Sequence, residues 1–537
     1  MSYPVAPLDE RVDSPTYPLL CYHARMETTR YRDTRGLDTT RPTFTDAVVK
    51  GISHGGGLYV PEQLPSFELE EILALADLPY WQRAATIFER FGVDLPGGRV
   101  AELMRIAYGD NFDDARIAPL EEVVAGMHVL ELWHGPTSAF KDMALQCMPV
   151  FFSEAIALKQ KCGELTDDYL VLVATSGDTG KAALEGFADR DHTRIAVFYP
   201  AEGVSDIQRK QMVTQRGENV SVFGVRGNFD DCQNAVKAAF NDDAFNAELH
   251  EAHALKLSSA NSINWGRLLP QIAYYVSAYA DMVASGGVVA GAEMDVCVPT
   301  GNFGNILGAY YAKKAGVPIG KLLCASNENN VLTDFIATGT YDISAREFVT
   351  TPSPSMDILI SSNLERLLFE LAGAERVREW MASLFAEGRF RVDRETFGAL
   401  RALFIGDWVN NDESLGVISR VYDETGYLMD PHTAVAWEVA ERLRDVNPVL
   451  VVSTAHWAKF GADVYKALTG LLYGDPLPVE TAGLTGVQLL GKVQELAENA
   501  CVPRAFAELD AATERFTGVV DAGHDGVKNA VREWLGR

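Results

Sequence analysis

The chain has 537 residues, of which 47% are hydrophobic and 23% are charged, as in ordinary globular proteins. At ~150 residues each, this length corresponds to roughly three to four domain equivalents. The 47 basic and 74 acidic residues give a net charge of −27 at pH 7. Such a charge repels phosphate backbones and argues against a nucleic-acid reader or a binder of anionic membranes. An anionic substrate would need a local cluster of donors.

The first residues and the cysteine pattern predict a cytoplasmic protein. The opening segment, MSYPVAPLDERVDSP, is polar and acidic and lacks the apolar core of a secretory signal. No apolar run approaches the ~18 residues that a membrane-spanning helix needs. The seven cysteines form no CxxC pair, so we expect neither a disulfide framework nor a metal site.

The segment up to about Asp110 predicts a small N-terminal domain. Its first two dozen residues are unpatterned and indicate an irregular arm. Residues 44–64, FTDAVVKGISHGGGLYVPEQL, predict a short helix, a glycine turn and a strand. The residues that follow have the spacing of amphipathic helices.

Beyond this domain, short apolar runs flanked by turn residues alternate with helical stretches. The predicted strands are Val129–Leu132, Tyr169–Ala174, Ile195–Tyr199, Val220–Val225, Asp295–Val298 and Val449–Val452. Continuous apolar strands that alternate with helices indicate buried parallel sheets with right-handed crossovers. The sequence therefore predicts an α/β fold with two parallel-sheet domains that face a cleft.

Four polar or glycine-rich segments follow predicted strands or apolar stretches. They are HGPTSAFKD, ATSGDTGK, PTGNFGN and STAHWAKF. Ligands of open parallel sheets collect at the carboxyl ends of the strands, where loops enter helices. We therefore expect these four segments to form one site.

The segment PTGNFGN suits a phosphate group. Gly301 and Gly304 flank Asn302 and Phe303 directly after a strand and before a helix. Glycines let the backbone approach an anion, and a helix start offers free amide groups. The segment lacks GxGxxG and the Walker lysine, which disfavours dinucleotide and ATP sites. The alternative is a tight turn that needs positive φ angles, and the sequence leaves both interpretations open.

The segment ATSGDTGK repeats this geometry with more side-chain donors. Thr175, Ser176 and Thr179 can bind a carboxylate or a phosphate. Asp178 is the exception, because a carboxylate repels an anionic ligand. The alternative interpretation is that Asp178 or Ser176 caps the following helix, and both interpretations can hold together.

Lys141 lies in SAFKDM, between an apolar stretch and a helix start. A single lysine is usually a solvated surface charge. At this junction, however, desolvation would lower its pKa and make the amine available for a Schiff base. A phosphate-binding turn together with a desolvated lysine is what pyridoxal 5′-phosphate requires.

The motifs of the chain resemble those of the threonine synthase family. HGPTSAFKDMALQ, ATSGDTG, NSINWGRLLPQ, PTGNFGN, LMDPHTAVAW and VSTAHWAKF occur in that family's order and approximate spacing. The resemblance covers roughly residues 30–480, including an N-terminal TRG followed by FTDAVVKGISHGGGLYVP. Trp457 stands where family members commonly have proline. The family has the tryptophan-synthase-β-like fold and uses pyridoxal phosphate.

The resemblance implies a role for each matching residue. Lys141 would bind the cofactor covalently and later shuttle protons, and Thr454 would face the pyridine nitrogen. The cofactor phosphate would be held by Gly301, Asn302, Phe303, Gly304 and Asn305. The substrate carboxylate and the phenolic edge of the cofactor would be lined by Thr175, Ser176, Asp178 and Thr179. The substrate phosphate would be bound by Asn261, Ser262 and Arg267. Without the resemblance, a capped helix start would be the preferred interpretation of NSINWGRLLPQ.

The resemblance also implies domain boundaries. We expect an N-terminal domain over 1–105, a large cofactor-binding domain over 106–165 and 265–480, a small domain over 166–264, and a helical C-terminal extension over 481–537. The sequence leaves the oligomeric state open between monomer and homodimer.

The implied activity is that of a carbon–oxygen lyase acting on a phosphate ester. It would convert O-phospho-L-homoserine and water into L-threonine and phosphate by γ-elimination and β-addition of water, the last step of threonine biosynthesis. A phospho-lyase of the same family, which releases 2-oxobutyrate, would share every cofactor motif. A non-catalytic relative that only binds pyridoxal phosphate is the second alternative.

Overall fold

The structure is a computed structural model that describes residues 28–175 and 177–536 of the chain. The irregular arm expected over the first two dozen residues and Ser176 lie outside the described residues.

The N-terminal domain combines a two-stranded antiparallel sheet with short helices. Its elements are β1 (Tyr31–Asp33), α1 (Phe44–Lys50), β2 (Tyr59–Pro61), α2 (Leu69–Leu73), α3 (Tyr80–Arg90) and α4 (Arg99–Ala107). Helix α1 begins after Thr43, whose side chain accepts from the amide of Asp46 while the Asp46 side chain accepts from the amide of Thr43. This capping box fixes the start of the predicted short helix.

The large domain begins with an antiparallel pair of strands and two helices. These elements are β3 (Leu120–Val124), β4 (Met127–Glu131), α5 (Lys141–Leu145) and α6 (Met148–Lys161). The helical stretch that begins at Lys141 is divided into two helices, with residues 146 and 147 between them. Pro149 lies in the first turn of α6, where its missing N–H costs no hydrogen bond.

The small domain is a parallel sheet with helical crossovers, as predicted. Its elements are β5 (Asp168–Ala174), α7 (Asp178–Phe187), β6 (Thr193–Pro200), α8 (Asp206–Val213), β7 (Val220–Arg226), α9 (Phe229–Phe240), α10 (Asp243–His253) and β8 (Leu255–Ser258). Strand β5 is buried over most of its length.

The rest of the large domain completes a second sheet. Its elements are α11 (Trp265–Ala284), β9 (Met294–Pro299), α12 (Gly304–Lys314), β10 (Ile319–Ser326), α13 (Val331–Thr338), β11 (Thr340–Asp342), α14 (Leu364–Glu387), β12 (Arg389–Arg391), α15 (Arg394–Leu403), β13 (Phe404–Trp408), α16 (Asn411–Thr425), α17 (Pro431–Leu443), β14 (Val449–Ser453) and α18 (Gly461–Thr469). The sheet order is β13-β10-β9-β14-β4-β3, and the pairs other than β3–β4 are parallel. Helix α11 is buried along most of its length and packs against α3, α5 and α12.

The C-terminal extension is not wholly helical, which corrects the prediction. Its elements are α19 (Val479–Ala482), α20 (Gly486–Leu496), α21 (Arg504–Ala507), β15 (Val519–Asp521) and α22 (His524–Leu535). Strand β15 adds to the edge of the small-domain sheet beside β7. A three-residue strand is too short to give a periodic signal, and its pairing with β7 determines its structure.

Candidate active site

Lys141 is a buried amine at the first residue of α5. Its side chain is 10% exposed, and its Nζ donates to the Ser355 hydroxyl at 2.9 Å and lies 3.5 Å from an Asp178 carboxylate oxygen. Burial lowers the pKa of Lys141; Asp178 opposes this effect, whereas the positive charges of Lys459 and Arg267 add to it. The residue is therefore a desolvated amine rather than a solvated surface charge.

Asp178, the first residue of α7, is a carboxylate between two lysines. One of its oxygens lies 3.1 Å from Lys459 Nζ and accepts from the Gln208 side chain at 3.0 Å. The other accepts from the Ser355 hydroxyl at 3.2 Å. Burial alone would raise the pKa of Asp178, but Lys459 and Lys141 outweigh it and hold the pKa well below its usual range. Asp178 therefore pairs with cations in this site.

The start of α7 is satisfied by Thr175 and not by Asp178, while Ser176, the other predicted cap, lies outside the described residues. The Thr175 hydroxyl accepts from the amides of Gly177 at 3.0 Å and Gly180 at 2.9 Å, so Thr175 rather than Asp178 satisfies the helix start. Gly177 has a φ of 140°, and a Cβ on it would lie 2.5 Å from the Gln208 side chain. Thr179 is half-buried beside these residues. Their predicted contacts with the substrate stay predictions.

The turn PTGNFGN enters α12, but its left-handed residue is Phe303, with a φ of 64°. The turn therefore does need a positive φ angle, as the alternative interpretation expected, but Phe303 adopts it and the two glycines do not. Gly301 instead allows a close approach, because a Cβ on it would lie 3.0 Å from Met356 Cα and from the Ser355 carbonyl oxygen. A Cβ on Gly304 would meet the ends of two side chains, Asn363 at 3.3 Å and Gln271 at 3.8 Å, and no backbone atom outside its own helix.

Most side-chain groups of this turn contact their neighbours, but the Nδ2 of Asn305 is buried and has no hydrogen-bond partner among the described residues. Phe303 is 1% exposed, and its ring packs against Phe404 at 5.6 Å. Asn305 accepts from the hydroxyl of Tyr274 at 2.5 Å and from that of Tyr275 at 2.6 Å. Asn302 is exposed. Phosphate binding at this turn would therefore depend on two kinds of donor: the backbone amides at the start of α12, which have no partner within the helix, and the Nδ2 of Asn305, which has none among the described residues.

The loop after β14 brings Thr454 beside Lys141. The Phe140 amide donates to the Thr454 carbonyl at 2.8 Å, and the His456 amide donates to the Ser138 carbonyl at 3.1 Å. Trp457 is 4% exposed and packs in the large-domain core. These hydrogen bonds anchor the loop at Thr454 and at His456, although Trp457 stands where family members commonly have proline.

Arg267 is a buried cation in the first turn of α11. It is 3% exposed, and one of its terminal nitrogens donates to the Ala260 carbonyl at 3.0 Å. Its Nε has no hydrogen-bond partner among the described residues. Burial lowers its pKa to about 10. An arginine this deeply buried with an unused donor is unusual, because such groups are normally paired.

The other two residues predicted with Arg267 lie in the loop before α11. Ser262 lies 3.5 Å from the Ser362 hydroxyl and accepts from the Asn363 side chain at 3.4 Å. Asn261 is exposed, and its carbonyl accepts from the amide of Asn264 at 3.1 Å. Asn264 caps α11 through its side chain, so the capped helix start is present beside the predicted phosphate donors.

Sequence reasoning missed several residues of this site. Ser355 contacts both Lys141 and Asp178, and its amide donates to His432 Nε2 at 3.1 Å. Lys459 is 1% exposed in a stretch that is otherwise apolar. The segment STAHWAKF, which follows the apolar part of β14, was a usable signal for Lys459. Ser355 lies in a loop of small polar residues with no strand before it, and it gave no such signal.

The described residues fit a pyridoxal phosphate cofactor. They provide a desolvated amine at Lys141, backbone amides and an unpartnered Asn305 Nδ2 at the start of α12, and a hydroxyl residue at Thr454. Within residues 28–175 and 177–536, no three metal-ligating side chains come together, and no helix is long and apolar enough to cross a membrane.

Profiles of three protein families match the chain. The profile described as "Threonine synthase N terminus" matches residues 30–108, and "Threonine synthase, C-terminal" matches residues 433–500. The profile "Pyridoxal-phosphate dependent enzyme" matches residues 129–454, which include the predicted cofactor residues from Lys141 to Thr454.

Relatives and solved structures agree with these profiles. Human threonine synthase-like 1 is 45% identical over 79% of this chain, and the chain spans only 58% of the length of that protein. Threonine synthase of Pseudomonas aeruginosa is 38% identical over 85% of this chain and 93% of its own length.

Two crystal structures cover nearly the whole described fold. The structure titled as PLP-bound threonine synthase from Brucella melitensis is 35% identical, with a TM-score of 0.81 over 94% of this chain and 99% of that one. Yeast threonine synthase is 31% identical, with a TM-score of 0.82 over 95% of this chain and 99% of that one. The α/β fold prediction is confirmed, and the chain belongs to the threonine synthase family of pyridoxal-phosphate-dependent enzymes.

Proposed function

We propose that this protein is a threonine synthase that converts O-phospho-L-homoserine and water into L-threonine and inorganic phosphate. The observation that carries the proposal is Arg267, a buried guanidinium with an unused donor on an element separate from the cofactor turn. Proteins rarely keep such a cation unpaired, because desolvating it is costly without a partner. A phosphate ester of the substrate is a partner of suitable charge and geometry.

The surroundings of Arg267 support a phosphate site. The planar guanidinium can bind a phosphate with two parallel hydrogen bonds. Ser262 and Asn363 add a hydroxyl and an amide from adjoining loops. Because the whole chain carries a charge of −27, a local cation is needed to attract an anionic substrate. These donors would also stabilise the phosphate as it departs.

Lys141 supplies the acid–base chemistry in this proposal. Pyridoxal phosphate, when bound, withdraws electrons from the α-carbon of an amino acid substrate. The Lys141 amine takes the α-proton and then takes part in removing a proton from the β-carbon. Its lowered pKa makes a neutral amine available for both steps.

Water must enter the reaction late. The second half of the proposed reaction adds water at the β-carbon, and earlier entry of water would release other products. Lys141 is 8% exposed and Asp178 is 5% exposed, so the described site already limits the access of solvent. Closure of the small domain over the large domain would complete this exclusion.

Two alternatives share the cofactor residues. A phospho-lyase of the family would eliminate phosphate and release 2-oxobutyrate and ammonia, and it would need Arg267 equally. A non-catalytic carrier of pyridoxal phosphate would need Lys141 but no substrate-phosphate site. Arg267, whose Nε has no partner among residues 28–175 and 177–536, therefore favours an enzyme over a carrier. The choice between the two enzymes requires product analysis.

The test is to incubate the full chain, loaded with pyridoxal phosphate, with O-phospho-L-homoserine and to identify the products. We expect threonine and phosphate in equal amounts, and no product from the Lys141→Ala variant. Formation of 2-oxobutyrate and ammonia in place of threonine would assign the phospho-lyase. Absence of phosphate release by a protein with the visible absorption of bound cofactor would assign the carrier.

A further inference from the structure

A second lysine lies beside Lys141, and neither the resemblance nor the comparisons assign it a role. The side chain of Lys459 is fully buried. Its Nζ donates to the Thr137 carbonyl at 2.7 Å and to the Gln211 side chain at 3.2 Å, and it lies 3.1 Å from Asp178. An ammonium group has three N–H donors, and these three acceptors use all of them.

Asp178 links the two lysines. One carboxylate oxygen faces Lys459 and the other faces Lys141, at 3.1 Å and 3.5 Å respectively. Lys459 thus fixes one side of the carboxylate, while its charge repels a proton from the amine on the other side. Lys141 has fewer partners, because its Nζ is hydrogen-bonded to Ser355 and is only loosely paired with Asp178.

We propose that Lys459 is a positioning residue for Lys141: it holds the Asp178 carboxylate in place and, through its own charge, favours the neutral amine of Lys141. The proposal rests on Lys141 being the reactive lysine of the proposed function. It assigns no contact between Lys459 and the substrate.

The charges around the two lysines are consistent with this assignment. Asp178 from α7, Lys459 from the loop after β14, and Arg267 from α11 are the charges that act on Lys141, and two of the three are positive. His432 from α17 acts on Asp178. The Asp178 carboxylate is shared by more than one buried cation. Lys141 has fewer partners than Lys459, so Lys141 is the lysine that loses its proton more easily.

The groups that act on Lys459 complete this set. Asp142 from α5 interacts with Lys459, and burial raises the pKa of Asp142 to about 6. His456 also interacts with Lys459, and burial lowers the pKa of that imidazole to about 3. At neutral pH His456 is therefore uncharged, and Asp178 is the carboxylate directly paired with Lys459.

The proposal predicts opposite effects of two substitutions on Lys141. Removing the positive charge in Lys459→Met ends the repulsion and leaves Lys141 as the nearest cation of Asp178, so the pKa of Lys141 rises. Removing the negative charge in Asp178→Asn takes away the group that stabilises the ammonium form, so the pKa of Lys141 falls. A merely structural role for Lys459 would not produce shifts of opposite sign.

The experiment measures the pH dependence of the rate at which the full chain, stripped of cofactor, incorporates added pyridoxal phosphate. Visible absorption reports incorporation, and no substrate is present, so failure of the proposed reaction would not affect the result. We expect the midpoint of the profile to rise by about one pH unit in Lys459→Met and to fall in Asp178→Asn. Lys459→Arg, which keeps the charge, should stay close to the wild-type midpoint.

Lys528→Met is the matched control, because Lys528 is also buried and lies 2.8 Å from an aspartate, Asp242. In Lys528→Met the midpoint of the pH profile of cofactor incorporation should be the same as in the wild type. If Lys459→Met does not fold, Lys459→Gln keeps a donor for the Thr137 carbonyl without the charge, and its midpoint should also rise. An unchanged midpoint in the folded neutral variant, or shifts of the same sign in Lys459→Met and Asp178→Asn, would overturn the proposal.

Discussion

Arg267 is the residue on which the substrate proposal depends most directly. In Arg267→Met the side-chain volume is largely kept, while the charge and the donors are lost. A hydrogen bond to a charged group contributes about 1.5–3 kcal/mol, and ~1.4 kcal/mol corresponds to a tenfold change in rate. We therefore expect kcat/KM for O-phospho-L-homoserine to fall at least about tenfold, with Arg267→Lys recovering part of the loss. Steady-state kinetics with detection of released phosphate measures kcat/KM in the wild type and in both variants.

The same variants separate the substrate phosphate from the cofactor phosphate. Titration with pyridoxal phosphate should give nearly the wild-type affinity in Arg267→Met. Arg190→Met is a suitable control, because Arg190 is a half-buried arginine at the opposite end of α7, with its pKa also lowered by burial. If Arg267→Met lost the cofactor but kept the substrate preference, the two phosphate sites would have been assigned the wrong way round.

His456 makes the stability of the site loop depend on pH. Its Nδ1 accepts from the Ala458 amide at 3.1 Å, which caps the turn that carries Lys459. Burial lowers the pKa of His456 to about 3, from 6.5 in the unfolded chain. The unfolded state therefore takes up a proton first as the pH falls, and stability present above pH 6.5 is lost below it. Linkage gives a loss of about 2 kcal/mol between pH 7 and pH 5.

The variant His456→Asn isolates this contribution. Asparagine keeps an acceptor for the cap but does not titrate. Urea unfolding of the two proteins at pH 7 and pH 5 should show a smaller loss of unfolding free energy in the variant. An equal loss in both proteins would mean that His456 is already accessible to protons in the folded state.

At the scale of elements, the turn before α12 depends on the approach of the loop that carries Ser355. A Cβ on Gly301 would meet backbone atoms of residues 355 and 356 at 3.0 Å, so Gly301→Ala must displace that loop and with it the partner of Lys141. The added methyl group of Gly304→Ala would meet only the ends of the Asn363 and Gln271 side chains. We expect pyridoxal phosphate affinity to fall at least about tenfold in Gly301→Ala and to stay within about threefold in Gly304→Ala.

Visible-absorption titration compares the two glycine variants directly. Gly416→Ala is the control, since Gly416 lies in α16 and has open space where its Cβ would be. Equal affinities in the Gly301 and Gly304 variants would show that close contact at this turn is not what the cofactor site requires.

The central strands could be predicted because their apolar runs are continuous. Strand β5 is buried over nearly its whole length, and its predicted and observed bounds differ by one residue. The edge strand β13 was missed, because it is half-exposed and its residues, FIGDW, include a glycine and an aspartate. Strand β10 was missed because Gly320 and Lys321 interrupt its apolar pattern. Pairing with neighbours, which local sequence does not contain, determines such strands.

Site residues could be predicted from the sequence only where a short local motif indicates their chemistry. Lys141 was predicted because a lysine between an apolar stretch and a helix start has a recognisable chemistry, and the structure shows that it is buried. Its partner Ser355 is 214 residues away in the chain, and only the meeting of two loops makes it a partner. Asp178 was singled out as a misfit for an anion, and the structure gives the reason, since it faces Lys459 and Lys141.

At the scale of the whole molecule, the C-terminal extension connects the outer surface to the active site through α8. The inner side of α8 contributes Gln208 to Asp178 and Gln211 to Lys459. Its outer side is held by the extension: Glu514 pairs with Arg209, Asp510 pairs with Lys210, and the amide of Gly486 donates to Asp206 at 3.0 Å. Since α20 packs against both α8 and α18, the extension also contacts both domains.

We expect the double charge reversal Asp510→Lys and Glu514→Lys to loosen α8 without unfolding the protein. Exposed ion pairs contribute at most about 1 kcal/mol each, so global stability should change little, while local opening of α8 becomes more frequent. Faster hydrogen exchange in α8 and a several-fold lower kcat/KM would follow, because Gln208 and Gln211 would hold their partners less tightly.

Adding Arg209→Glu and Lys210→Glu to the double charge reversal should restore both the hydrogen-exchange rate of α8 and kcat/KM. Arg532→Glu is the control, because it breaks the pair with Glu248 on α10, away from α8. If hydrogen exchange rose in α8 but kcat/KM did not fall, the extension would stabilise the small domain without supporting the active site.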